Sequence, residues 1–171
     1  MPILATPRLD LRELRDSDAD FILRLLNDPS WLRYIGDRGV RSLDDARRYI
    51  ANGPVAMYTR LGYGLYLVER RDDGAAMGLC GLLKRDGLDD PDIGFAFFPE
   101  FGGQGYALEA ARAALDAGFA QHGMARVVAI TAQDNAASIR LLRAIGFVYE
   151  RDVTLPGGTE ALRLFAATRA A

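Results

Sequence analysis

The run from Asp92 to Ala132 restricts the possible folds more than any other part of the chain. A strand-like segment, DIGFAFF, passes through a glycine-rich turn into a long amphipathic stretch, about Gln104 to Gln121, which leads into ARVVAITA. That last run is too apolar for a strand with one wet face, so it predicts a strand covered on both sides. Strand, helix and buried strand in that order make a βαβ unit with two parallel strands, which points to an α/β fold.

Upstream, Leu9, Leu11 and Leu14 bracket a short opening strand. Ser17 and Asp20 have the spacing of a capping box for a helix running to about Asn27, with Pro29 ending it. Ser42 and Asp45 repeat the box before a second helix, about Leu43 to Ala51, in which Leu43, Ala46 and Ile50 recur at helical spacing. A loop holding Trp31, Tyr34 and Gly36 separates the two. Three segments, about Gly64 to Glu69, Ala75 to Leu83 and Asp92 to Phe98, alternate with the turn-rich RRDDG and KRDGLDDP and predict an antiparallel meander. The last helix, about Ala136 to Ile145, is expected to stop at a left-handed Gly146, and FVYERDV and ALRLFAAT close the sheet as two strands. The sheet is therefore mixed. No repeat, low-complexity tract or linker interrupts residues 1–171, which read as a single domain, and 50% hydrophobic residues suffice for its core.

A net charge of −2, with arginines scattered rather than clustered, gives no footprint for a polyanion, so no nucleic-acid partner is expected. Cys80 is the only cysteine, which excludes intramolecular disulfides and thiolate metal clusters and suits a reducing compartment; no metal is expected. The sequence has no charged leader followed by a long apolar region and no apolar run approaching about 18 residues, so the expectation is a cytoplasmic chain without a membrane partner.

Chemistry should sit at FGGQGYALEA, between a strand and the long helix. Gly102, Gly103 and Gly105 remove the side chains that would keep a ligand from the backbone, and the first turn of the helix leaves its amides unpaired, a combination that holds phosphate. A plain connecting turn is the alternative. The segment lacks the Gly-Lys-Ser/Thr of a nucleotide-hydrolysing loop, and the sole lysine is the distant Lys84. Leu108 stands where a dinucleotide fingerprint needs its third glycine, and no acidic residue closes the next strand.

A second signal opens the last helix, DNAASIRLLRAIGF. Asn135 suits the N-cap, and Ser138, three and four residues before Leu141 and Leu142, brings a hydroxyl near the inward face of the first turn. A simple capping pair would explain the same residues. Both signals follow the carboxyl ends of the strands joined by the crossover. Two helix N-termini therefore open on one sheet edge, where α/β folds place ligands.

These motifs, with TPRLDLRELRDSDADFILRLLNDP at the start and DIGFAFFPEFGGQGYALEA in the middle, resemble the GNAT superfamily, in particular its ribosomal-protein alanine acetyltransferase branch. The resemblance covers nearly the whole chain. It implies an α/β fold with a mixed, largely antiparallel sheet, a central parallel βαβ unit and flanking helices. It also implies acetyl transfer from acetyl-CoA, as cosubstrate, to a primary amine. The coenzyme A pyrophosphate loop of that family maps onto Gly102 to Ala107, with backbone contacts expected from Gly103, Gln104, Gly105, Tyr106 and Ala107. Gly102 departs from the Gln, Arg or Trp usual at the first position and offers no side-chain contact. The pantetheine arm is expected along the backbone of Phe97 and Phe98, whose rings suit core packing.

Many members carry a tyrosine acid where this chain has Leu142, so Ser138 is the expected replacement, directly or through a water. Asn135 and Ser138 also count among the expected coenzyme contacts. Asp92 is the first choice of general base, with Glu69 and Glu100 as alternatives; His122, near the end of the long helix, is assigned to the helix dipole. The acceptor pocket falls to the N-terminal helices, Trp31, Tyr34 and LPGGT, although Trp31 could equally anchor the core. A peptide or protein N-terminus is the favoured acceptor. An antibiotic, amino acid or polyamine, or a non-catalytic coenzyme-binding module, remains the alternative, and the expected state is a monomer or homodimer.

Overall fold

The computed structural model describes residues 2–170. Eight strands form one sheet in the order β1 (Leu4–Ala5), β2 (Leu9–Arg12), β3 (Leu65–Arg70), β4 (Ala76–Leu83), β5 (Asp92–Phe97), β6 (Arg126–Thr131), β8 (Leu162–Thr168) and β7 (Val148–Val153). Every neighbouring pair is antiparallel except β5 and β6, as the βαβ reading requires. The crossover between them is α5 (Tyr106–Ala120), and α6 (Ala136–Ala144) follows β6.

The period of two along the strands, broken where a bulge in β4 leaves Met77 between the Val68–Gly78 and Glu69–Ala76 pairs, sorts most buried side chains between the two faces of the sheet. Val68, Met77, Cys80, Ile93, Val127, Ala129 and Phe165 pack with Ala110, Ala111 and Ala114 of α5 and Ile139 and Leu142 of α6. Leu67, Leu79 and Phe98 point the other way, against α1 (Ala19–Leu26), α2 (Pro29–Tyr34) and α3 (Leu43–Ile50), through Ile22, Leu25, Trp31, Ala46 and Ile50. Small residues let α5 lie close to the sheet: a Cβ on Gly118 would meet Leu82 Cδ1 at 2.8 Å. Cys80 is fully buried in this layer, and burial pushes its thiol up to about 12, so it is unreactive at neutral pH.

Differences from the expected elements concentrate in the N-terminal half. Ser17 does not cap the first helix. A 3-10 turn, Asp16–Asp18, precedes α1, and the Asp18 carboxylate accepts from the Arg15 amide at 2.9 Å and from both Arg12 Nη atoms at 2.9 Å. This charge-assisted pairing is stronger than a hydroxyl cap and draws Asp18 inward. Pro29 does not lead into a loop; it opens α2 as its first residue, behind Asp28, whose side chain accepts from the Ser30 amide at 3.0 Å. Trp31 and Tyr34 thus lie on a helix. After α3, capped as expected by Ser42, the chain continues through a wide π turn, Ala51–Val55, into α4 (Ala56–Leu61). No helix among the described residues is long and apolar enough to cross a membrane.

Candidate functional site

Strands β5 and β6 share a single register pair, Asp92 with Val128, and part beyond it. The Phe98 amide donates to the Met77 carbonyl at 3.0 Å. Alternation in an antiparallel ladder then turns the amides of Phe95 and Phe97 to the opposite side, toward the gap that β6 leaves. The expectation of two backbone contacts is corrected accordingly: Phe97 lies on the free edge, whereas Phe98 is already bonded to β4. The Phe98 ring is buried, edge-on to Phe21 at 5.6 Å and beneath the Arg24 guanidinium at 4.1 Å.

At the end of β5 the chain makes a short 3-10 turn, Pro99–Phe101, and enters the glycine loop. Gly103 and Gly105 have φ of +73° and +80°, the left-handed region that other residues seldom adopt. Gly105 is the N-cap of α5, so the helix begins at Tyr106 rather than Gln104. The first helical bond runs from the Glu109 amide to the Gly105 carbonyl, and none of the amides from Gly103 to Leu108 meets a backbone carbonyl among the described residues. A cavity of about 310 Å³ lies beside them, lined by Phe97, Phe101, Gly102, Gly103, Gly105, Tyr106, Ala107 and Leu108, and across from these by Arg140, Leu141 and Ala144 of α6. Unpaired amides on one wall and a guanidinium on the other suit a phosphorylated ligand.

Asn135 caps α6, its side chain accepting from the Ser138 amide at 3.3 Å. Ser138 is half-buried in the first turn and lies one turn before Leu141, outside the cavity lining. The structure therefore brings Phe97, Gly102, Gly103, Gly105, Tyr106 and Ala107 together. Gln104 belongs to the same loop but turns its side chain to solvent.

Of the acceptor residues, Trp31 is only 5% exposed and packs among Ile22, Leu25 and Ala46, so it anchors α2 instead of lining an open surface. Tyr34 is half-buried beneath Arg33 at 4.9 Å, and Arg33 reaches Asp134 at 3.1 Å. That pair ties α2 to the segment just before α6. His122 is exposed and tilts against Tyr63 at 5.2 Å, away from the cavity.

The three carboxylates considered as bases are all engaged. Glu69 lies 3.1 Å from Arg12, and Glu100 pairs with Arg24. Asp92 is 0% exposed and accepts from Arg85 Nε at 3.1 Å; its second oxygen lies 2.9 Å from Arg85 Nη2 without hydrogen-bond geometry. Burial raises its carboxyl to about 6, and the Arg85 charge offsets part of that rise. Asp92, the first choice of base, presents no open atom to an amine in this arrangement.

Residues 8–148 match the family described as Acetyltransferase (GNAT) domain. The chain belongs to the GNAT acetyltransferases. Its GNAT sequence is 31% identical over 153 residues to the uncharacterized protein YkkB of Bacillus subtilis, covering 88% of this chain and 87% of that one. It is 32% identical over 150 residues to the uncharacterized N-acetyltransferase YoaA of the same organism, with coverage of 87% and 84%. The fold superimposes on an acetyltransferase from Agrobacterium tumefaciens with a TM-score of 0.84 at 21% identity, over 99% and 95% of the two chains. It also superimposes on RimL, a ribosomal L7/L12 alpha-N-protein acetyltransferase solved with coenzyme A, with a TM-score of 0.83 at 20% identity, over 98% of each. This GNAT protein is thus an acetyl-CoA-dependent N-acetyltransferase acting on amines.

Two contributors had not been anticipated from sequence. Arg140 faces the glycine loop because it, Leu141 and Ala144 share one side of α6. Arg8, from the opposite end of the chain, holds the loop from behind, with Nη1 donating to the Gln104 carbonyl at 2.9 Å and Nε to Glu109 at 2.8 Å.

Proposed function

We propose that this enzyme acetylates an α-amine at a peptide or protein N-terminus by direct attack on the thioester. The coenzyme diphosphate lies against the amides of Gly103 to Ala107 and faces Arg140, and the pantetheine arm runs along Phe97 in the gap between β5 and β6. The neutral amine nitrogen forms the new C–N bond as the C–S bond breaks and gives up a proton to water, while Ser138, reprotonated from solvent, delivers one to the departing thiolate, directly or through water. Tyr34, on the helix that the Arg33–Asp134 pair ties to the segment before α6, faces the acceptor.

One observation carries the choice of acceptor: Asp92, Glu69 and Glu100 are each held by an arginine, so no free carboxylate among them is available to deprotonate the amine. An α-amine, with an ordinary pKa of about 8, is already about one-tenth neutral at pH 7, whereas a lysine amine near 10.4 is neutral in less than about one molecule in a thousand. An acceptor that brings its own low pKa suits such a site. The name of RimL, an alpha-N-protein acetyltransferase, agrees with this reading.

An acceptor screen that follows free thiol release from acetyl-CoA tests the proposal. Peptides with free N-termini are expected to turn over, N-terminally blocked peptides containing lysine are not, and kcat/KM should climb with pH and level off above about 8, the ordinary pKa of an α-amine. Turnover confined to small-molecule amines would overturn it. Ser138→Ala is expected to slow turnover by about a hundredfold or more while leaving coenzyme affinity intact, and an unaltered rate in stopped assays would remove Ser138 from the proton step.

A further inference from the structure

The contacts of Arg8 reach beyond ordinary surface pairing. Its backbone amide donates to Glu109 Oε2 at 3.0 Å, its Nε to Glu109 Oε1 at 2.8 Å and its Nη1 to the Gln104 carbonyl at 2.9 Å, while the guanidinium carbon lies 4.4 Å above the Tyr106 ring. Thr6 adds a hydroxyl bond to Glu109 Oε2. One arginine therefore touches residues 104, 106 and 109, and its Nη2 lies 3.3 Å from where a Gly105 Cβ would be. It does so from outside the cavity, which Gly105 and Tyr106 line and Arg8 does not.

We infer that Arg8 is a positioning residue for the coenzyme, fixing the orientation of the Gln104–Gly105 peptide so that the Gly105 amide faces the diphosphate. This rests on the reading of the glycine loop as the diphosphate cradle. In a trans peptide the carbonyl and the following N–H point in opposite directions, so an arginine that draws the Gln104 oxygen to the outer side turns the Gly105 hydrogen to the inner one. A flip of this peptide rotates ψ of Gln104 and φ of Gly105, and the left-handed Gly105 resists that rotation less than another residue would. Without Arg8 the peptide is free to flip and present a carbonyl oxygen to an anion. Glu109 is the counterweight. Burial raises its carboxyl, but the bonds from Thr6 and Arg8 outweigh that and keep it ionised, so the acid holds the guanidinium in place. The guanidinium in turn screens the acid's charge from the cradle.

Wild-type affinity for coenzyme A is measured first by calorimetry; no binding would overturn the cradle reading and this inference with it. Arg8→Met keeps the aliphatic stem and removes every guanidinium contact. Its KM for acetyl-CoA is expected to rise about tenfold with kcat held within about twofold, the loss of a charge-assisted bond at a partly exposed site. With S-acetyl-pantetheine, a donor that ends before the diphosphate, kcat/KM should match that of the wild type, because the loop has nothing to grip. Wild-type binding with an unchanged KM in the variant, or an equal loss with both donors, would overturn the role of Arg8 while leaving the cradle intact. Should Arg8→Met fail to fold, Arg8→Lys carries the same expectation, since one ammonium cannot bond Glu109 and Gln104 in the same fork geometry.

Discussion

Gly105→Val should lower affinity for coenzyme A by at least about a hundredfold, the sum of backbone strain and lost space. Gly105 sits at φ +80°, where a β-branched residue is an outlier costing about 1–3 kcal/mol. The first carbon of any side chain there would stand 3.3 Å from Arg8 Nη2, and the branches of valine would push against the guanidinium that holds the Gln104 carbonyl. The loop can relieve the strain only by turning its amides away from the ligand. Gly62→Val separates the two effects, because Gly62 has φ +81° at the end of α4, has nothing within 4 Å of its would-be Cβ and lies away from the cavity lining. Both variants should lose stability, and only Gly105→Val should lose coenzyme binding by calorimetry. Equal affinities in the two would dismiss the loop as the diphosphate cradle.

The parts of this molecule that could be read from sequence are those set by local rules. The βαβ unit announced itself through a change of period, the glycine loop through residues that tolerate positive φ, and the end of α6 through Gly146 at φ +97°. Helices α2 and α4 were hidden because proline reads first as a breaker. Pro29 opens a helix instead of only ending one, and Pro54 falls in the widened Ala51–Val55 turn, where the regular ladder of amide bonds is already interrupted. The site divides in the same way. The loop and Asn135 follow from neighbours in sequence, whereas the contacts of Arg8 with Gln104 and Glu109 span 96 and 101 positions and leave no local trace. Burial was the other blind spot: alternation along DIGFAF does not reveal that both faces are covered at the start of β5, where Asp92 and Ile93 are buried, so Asp92 looked available, and sequence left Trp31 evenly divided between ligand contact and core.

The sealed position of Asp92 has a measurable cost. In the unfolded chain its carboxyl titrates at the ordinary 3.8, and in the fold burial raises it to about 6 despite the Arg85 charge. Between those values the native state holds a proton that the unfolded state has lost. The contribution of Asp92 to stability is therefore complete below 3.8 and disappears as pH rises through 6, a change of about 3 kcal/mol. Asp92→Asn replaces the carboxylate with a neutral group of nearly the same shape and leaves Arg85, whose side chain is 31% exposed, in reach of water. The variant should be at least as stable as the wild type at pH 7, and the difference between the two should shrink on acidification toward pH 4. Carboxylates held below their ordinary values, such as Asp18 and Asp73, push stability the other way with pH, but they act equally in both proteins and cancel in the difference. Urea denaturation of the pair from pH 4 to 8 reads the effect directly. Acetyl transfer by Asp92→Asn should persist at the wild-type kcat, since no atom of Asp92 is open to the amine. A variant that is markedly less stable at pH 7 would mean that the ionised Arg85 pair stabilises the fold, and a stable variant without turnover would return Asp92 to the mechanism as a base.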